Sequence, residues 1–432
     1  MNNRSLTSIK RVEFGILFLV CFLPYYSLLR GLSLIYLPEV LNSVLNYIRD
    51  IVIILLFLIS FTRLSKKNIF LGKQFFFVSL FLFFLFFFFM VTFTKGYPGV
   101  AIKSAHLTIV PILLFYSSKV VQKYLPDFFL KLIKILFVVG ITVICLSIYF
   151  FFNRSNLYVE LFSILYSSKD NLALSYVRMM GPFFSPNVFG NFMGVISLIS
   201  FIRVLDKDKR IVINWGVFFL ATFCVILSFS RGSWLFEFIG VFTIMVFKKK
   251  IFKFIKVAII GILISFLGVT SLSNSSGIDL ENVTNNRFQS LLGSTDGNVY
   301  NRFDNLNEIT KSLNKSPLGK GLGAGSQASY GNQKYLNEIE LGVIDSFYLK
   351  TLVEGGMFFL LIFLIVMFSL LQGLKKKINN YKSVNRNNFI LLTFAVLIGT
   401  MMQSIGSNPL DYVSTAPFVW ILLGVSSELK NI

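Results

Sequence analysis

Long apolar runs, each about the length needed to cross a bilayer, alternate with short polar stretches along most of this chain. A helix spanning a hydrocarbon core about 30 Å thick needs about 20 mostly apolar residues. Twelve segments meet that requirement, at about 13–29, 44–62, 74–93, 98–118, 128–152, 186–204, 211–229, 232–247, 252–272, 346–373, 387–404 and 411–427. One long hydrophilic stretch, Ser273 to Asp345, interrupts them. The pattern predicts an all-α, polytopic integral membrane bundle of about twelve transmembrane helices. Residues 1–272 would supply helices one to nine, 273–345 a large loop, and 346–432 helices ten to twelve. Backbone groups in lipid must pair internally, so runs this long mean helices rather than a barrel. Within the loop, Phe303, Leu306, Ile309 and Leu313 recur at helical spacing, so part of it should be helical and could close over a site as a lid.

Composition agrees with that pattern. Hydrophobic residues make up 55% of the chain and mean hydropathy is +0.73, more apolar surface than a soluble fold could hide. The formal charge of +21 raises the question of nucleic acid. The basic residues, however, are spread over alternate loops rather than gathered on one soluble domain, which argues against a nucleic-acid partner. They are Arg4, Lys10 and Arg11; Arg63, Lys66, Lys67 and Lys73; Lys119, Lys123, Lys131 and Lys134; Arg203, Lys207, Lys209 and Arg210; Lys248, Lys249, Lys250, Lys253 and Lys256; and Lys375, Lys376, Lys377, Lys382 and Arg386. Lys and Arg near span ends are retained in the cytoplasm. Both termini are therefore expected inside and the long loop outside. The first apolar run has no small-residue cleavage site after it, and Pro24-Tyr25-Tyr26 continues it, so it reads as a retained helix.

Several chemistries find little support. Cys21, Cys145 and Cys224 fall inside spans, which argues against a disulfide framework or a thiolate metal site. His106 is the only histidine, so neither a histidine metal cluster nor a Ser-His-Asp triad can form around the loop, and no metal or other cofactor is expected. The run Gly319-Lys320-Gly321-Leu322-Gly323-Ala324-Gly325-Ser326 lacks the Walker pattern and reads as a mobile turn, with direct ligand contact as the alternative. Lys103 and His106 lie on neighbouring positions of the fourth span, where they either line a cavity or reach toward the surface.

Arginines on the outer side carry the chemistry instead. Arg178 precedes Gly181, Ser185, Pro186 and Asn187, and Ser185-Pro186 marks a helix start whose positive dipole end faces outward. An arginine beside a helix N-terminus is a ready anion site, although a capped helix with an arginine on lipid headgroups fits the same residues. Ser230-Arg231-Gly232-Ser233 sits in a short break between two spans, where an arginine needs a partner, water or ligand. Gly232 would allow a tight turn, and Glu237 is a candidate partner for Arg231.

These residues, in this order, resemble the O-antigen polymerase and O-antigen ligase superfamily of bacterial cell-envelope proteins. The resemblance continues through Asn301-Arg302, Pro317-Leu318-Gly319-Lys320-Gly321-Leu322-Gly323 and Leu352-Val353-Glu354-Gly355-Gly356, covering most of the chain from about 170 onward. It implies a membrane glycosyltransferase at the outer face of a bacterial inner membrane. Its donor and acceptor would be undecaprenyl-diphosphate-linked glycans, and its partner proteins a chain-length regulator and a flippase. Arg178, Arg231 and Arg302, with Arg287 as a further candidate, would stabilise the diphosphate leaving group without a metal, and Asn187 would help bind substrate. Ligase-like members usually carry a histidine at the end of the long loop. This chain has Ile344-Asp345-Ser346, which looks more like polymerases. Asp345 is then the candidate general base, its pKa raised by partial burial, and helix capping is the alternative role for it. The expected reaction is polymerisation with inversion. A ligase acting on lipid A-core is the first alternative and a lipid-linked oligosaccharide flippase the second. A flippase should carry charges deep in several spans, whereas these spans read as nearly free of charge.

Overall fold

The computed structural model describes residues 3–64, 72–153, 156–165, 178–206, 210–250, 309–310, 313–330, 332–339, 342–378, 380 and 383–429. Its helices, in chain order, are α1 (Asn3–Phe22), α2 (Tyr26–Tyr36), α3 (Glu39–Leu64), α4 (Lys73–Thr94), α5 (Pro98–Tyr124), α6 (Phe128–Phe152) and α7 (Asn156–Leu165). They continue with α8 (Pro186–Leu205), α9 (Ile211–Leu227), α10 (Arg231–Phe247), α11 (Gln333–Ile339), α12 (Phe347–Lys377), α13 (Val384–Gln403) and α14 (Ala416–Glu428). The fold is an all-α polytopic membrane bundle. Six of these helical stretches are long and apolar enough to cross a membrane: Leu6–Tyr36, Lys73–Thr94, Pro98–Tyr124, Phe128–Phe152, Pro186–Leu205 and Phe347–Lys377. Eleven of the expected spans fall on helices, and the twelfth, 252–272, lies outside the described residues.

Side-chain spacing explains how the helices pack. On α4, Phe75, Val78, Phe81, Leu85, Phe88 and Thr92 form one buried stripe, while Phe76, Phe83, Phe86 and Phe87 are exposed. A polar surface would not carry such phenylalanines, and lipid would. Central helix α8 is buried almost all round. Small residues make its close approach to α10 workable: a Cβ on Gly194 would lie 2.7 Å from the Phe236 ring, and one on Gly240 2.7 Å from Leu198.

The chain runs back and forth between two ends of this bundle. At the far end the basic residues find partners: Lys131 Nζ meets Glu13 at 2.7 Å and Lys248 Nζ meets Asp206 at 2.7 Å. Lys377 Nζ donates to the carbonyls of Ser426 and Ser427 at 2.8 and 2.7 Å. At the opposite end lie the starts of α8, α10, α12 and α14 and the finish of α9 and α13.

Within that second end, the glycine run is a fixed buried loop rather than a mobile turn. Lys320 and Gly321 donate their N–H groups to the carbonyls of Val353 and Glu354, both at 2.9 Å, and Leu322 donates to Phe88 at 3.1 Å. The loop fits because α12 breaks at Gly356, whose φ of 70° and ψ of −174° are open only to glycine. A Cβ there would run into the Pro317 carbonyl oxygen. Pro317–Gly323 and Glu354-Gly355-Gly356 therefore form one packing unit. Ile309 and Leu313 lie in helical turns, as their spacing predicts, and help cover a small core of Tyr97, Val100, Tyr335 and Ile344. Phe303 and Leu306 lie outside the described residues.

Candidate functional site

Helix α8 begins at Pro186, as the Ser185-Pro186 pair predicts, with Ser185 at the cap position. Just before it, Arg178 turns back onto the finish of α9. Its Nε donates to the Ser228 carbonyl at 2.9 Å and its Nη2 to the Phe229 carbonyl at 3.2 Å, while Met179 N donates to Leu227 at 2.8 Å. Those carbonyls belong to the α9–α10 turn, and their dipoles suit a cation. Arg178 also lines a narrow cleft walled by Phe150, Phe151, Tyr158 and Phe162.

The turn leads directly into Ser230-Arg231-Gly232. Ser230 caps α10, its hydroxyl accepting from the Ser233 N–H at 3.3 Å. Arg231 is the first helical residue and is partly exposed. The tight turn is made by Phe229, with φ of 48°, and not by Gly232, which is already helical. Gly232 serves closeness instead: a Cβ on it would lie 3.1 Å from Gln403 Cγ and 3.3 Å from Ser407 Oγ. Glu237 is buried and accepts from Thr222 Oγ1 at 2.6 Å and from Ser197 Oγ. Six residues along a helix is about 9 Å deeper and about two thirds of a turn round, so Glu237 serves the α8–α9–α10 packing.

Asn187, Asp345 and the α13–α14 connection close the constellation. Ser233 Oγ donates to the Asn187 carbonyl at 3.3 Å, tying the start of α8 to α10. Asn408 Nδ2 donates to the Ile344 carbonyl at 2.7 Å, and Phe347 N to the Ser407 carbonyl at 3.2 Å, which fixes the backbone either side of Asp345. Ser346, not Asp345, caps α12, accepting from Leu349 N. Asp345 is exposed rather than partly buried, so its carboxylate is presented to the outside of the bundle. Tyr412 sits between these parts, its hydroxyl within range of the Ser407 and Asn187 side chains. Burial first, then the charges of Asp345 and Asp411, push that hydroxyl up to about 12. Arg178, Arg231, Asn187 and Asp345 are thus brought to one region through neighbouring contacts. Arg287 and Arg302 lie outside the described residues.

Charged groups inside the spans are more numerous than the hydropathy pattern implies. Lys350 is 1% exposed, with Nζ 2.5 Å from Asp411 Oδ2 and 3.7 Å from Glu354 Oε1, and Glu354 in turn accepts from Gly323 N at 2.8 Å. Fully buried Arg49 lies 2.6 Å from Asp50 and donates through Nη1 to the Val413 carbonyl at 2.9 Å. His106 pairs through Nδ1 with Asp50, whereas Lys103 is exposed. The i,i+4 spacing of Lys350 and Glu354 was the available signal for the first cluster. The adjacent Arg49-Asp50 pair inside an apolar run was the signal for the second. Among the described residues, no group of three or more His, Cys, Asp or Glu is arranged to hold a metal ion.

Residues 216–364 match a protein-family model described as O-antigen ligase. The match covers roughly a third of the chain, from α9 through the break in α12, and supports the O-antigen polymerase and ligase superfamily. No curated protein matches the chain significantly.

Proposed function

We propose that this protein, carrying that superfamily's segment at the heart of its site, polymerises undecaprenyl-diphosphate-linked repeat units into a surface polysaccharide at the outer face of the inner membrane. The observation that carries the reading is the convergence of Arg178, the Arg231 turn, Asn187 and Asp345 at one end of the bundle. The aromatic side chains beside Arg178 would offer an apolar surface to the polyprenyl chain, with the diphosphate at the arginine. In the reaction, a hydroxyl of the acceptor repeat unit attacks the anomeric carbon of the donor sugar from the face opposite the diphosphate. A new glycosidic C–O bond forms as the sugar–phosphate C–O bond breaks. The electron pair leaves on undecaprenyl diphosphate, and the acceptor proton passes to Asp345 and then to water. Guanidinium groups stabilise the charge that grows on the leaving diphosphate. A single displacement of this kind inverts the anomeric centre.

The ligase reading has one observation in its favour, the description of the matching family model. Against it stands Asp345 at the loop end. The sole histidine, His106, is held by Asp50 in the bundle. Incubating the purified protein in lipid with one defined undecaprenyl-diphosphate-linked repeat unit separates the two. A ladder of lengthening chains supports polymerisation. Transfer to lipid A-core, with no ladder, would establish the ligase.

A further inference from the structure

Gln403, the last residue of α13, is 1% exposed, and neither its Nε2 nor its Oε1 has a hydrogen-bond partner. Both atoms are orphaned, so the observation holds whichever way round the amide is drawn. Leaving such a group unpaired in a protein interior is costly, and native structures rarely tolerate it without a reason. The setting supplies one. Nε2 lies 3.2 Å from where a Cβ on Gly232 would stand, against the first turn of α10. N–H groups in a first turn have no acceptor inside their own helix and favour anions. The Ser233 N–H is met by Ser230 Oγ, and it is at Gly232 that this turn faces Gln403. Orphaned polar atoms also concentrate nearby: of the seven such buried side-chain atoms among the described residues, five belong to Gln403, Asn408, Asp411 and Thr415. The same connection carries Tyr412, whose hydroxyl reaches Ser407 and Asn187.

A carboxamide with both ends unmet wants a ligand that offers an acceptor and a donor side by side. A bare diphosphate offers acceptors only. The junction of a sugar and its diphosphate offers both: phosphoryl oxygens, and on the next ring carbon a hydroxyl or acetamido N–H. We propose that Gln403 binds the donor at this junction, Nε2 to a phosphoryl oxygen and Oε1 to the substituent beside the anomeric carbon. The proposal rests on the lipid-linked glycan reading and adds to it a residue that senses the first sugar of the donor.

The test compares wild type, Q403M and Q403E in lipid nanodiscs, using two probes: undecaprenyl diphosphate, and undecaprenyl-diphosphate-linked N-acetylglucosamine. Since the amide makes no internal hydrogen bond, Q403M should keep or raise the melting temperature. It should bind the sugar-bearing probe about tenfold more weakly, about 1.4 kcal/mol, and lose most of its preference over the bare diphosphate. Q403E, which sets a negative charge beside the phosphates, should weaken both probes. If Q403M binds both probes as wild type does, the amide takes no part in donor binding and the proposal is overturned. It is equally overturned if Q403M melts well below wild type, because the amide would then be holding the fold. If wild type binds neither probe, the lipid-diphosphate reading falls and this inference with it. Binding by wild type that is unchanged in Q403M removes the Gln403 assignment alone.

Discussion

The backbone N–H of Gly323 donates to Oε1 of Glu354 at 2.8 Å, and through that bond two glycine-rich segments 31 residues apart become one structural unit. Glu354 in turn lies beside Lys350, whose ammonium is paired with Asp411. The buried chain from the loop to the α13–α14 connection is therefore Gly323, Glu354, Lys350, Asp411. Breaking one partner of a buried ion pair strands the other, at a cost of about 3–5 kcal/mol. K350M should accordingly melt much lower than wild type in detergent. The double variant K350M/D411L, which strands less charge, should recover most of the loss.

Gly356 is the second point at which this unit is vulnerable. A side chain there meets both a backbone conformation forbidden to it and the Pro317 carbonyl. Strain of this kind costs about 1–3 kcal/mol before the clash is counted. G356A should reduce the yield of folded protein and lower its melting temperature, measured by size-exclusion chromatography and thermal unfolding. G99A, where a Cβ meets nothing within 4 Å, serves as the neutral control.

Arg178 and Arg231 are both tested through turnover, and Arg178 through stability as well. Arg178 donates to two turn carbonyls, so R178A should lower stability by about 1–3 kcal/mol as well as abolish polymer. R231A should lower the turnover of lipid-linked repeat units by about 10²–10³, the usual effect of deleting one transition-state donor. Normal polymer yield from R231A would remove it from the site.

For Asp345, the proton-accepting role predicts a loss in turnover and not in affinity. D345N should reduce the rate by about 10²–10⁴ while leaving binding of undecaprenyl diphosphate unchanged. Because Ser346 holds the cap of α12, melting should also stay close to wild type. A weakened donor affinity with normal turnover would instead make Asp345 a binding residue.

Tyr412 offers a pH measurement. Its hydroxyl is raised from 10 to about 12, so the folded protein holds the proton more tightly than the unfolded chain does. The stability this contributes is complete below pH 10 and is lost as pH rises toward about 12. In Y412F that part of the alkaline loss disappears, which alkaline unfolding followed by intrinsic fluorescence reports.

Helix positions were largely legible in the sequence, because twenty apolar residues in a row leave few alternatives to a span. The start of α8 at Pro186 and the cap of α10 at Ser230 could be read locally, since a proline or a serine at those points has its own geometric cause. What escaped was everything decided by a neighbour far along the chain. Gly232 looks like a turn residue until Gln403 is seen against it. The glycine run looks loose until α12 is seen to break for it. Arg49, Asp50 and Lys350 were submerged in apolar averages, although all three are buried in ion pairs. Gln403 ends a span as many interfacial glutamines do, and only its lack of partners sets it apart.

Since α12 is interrupted at Gly356, its ladder of hydrogen bonds does not run as one rod from Phe347 to Lys377. The first nine residues, carrying Lys350 and Glu354, are bonded to the loop above. The remainder packs with the bundle through residues such as Phe359, Phe363 and Met367. The part of α12 bonded to the loop and the part packed in the bundle are thus two helices meeting at Gly356, so a side chain placed there strikes the loop at the joint between them.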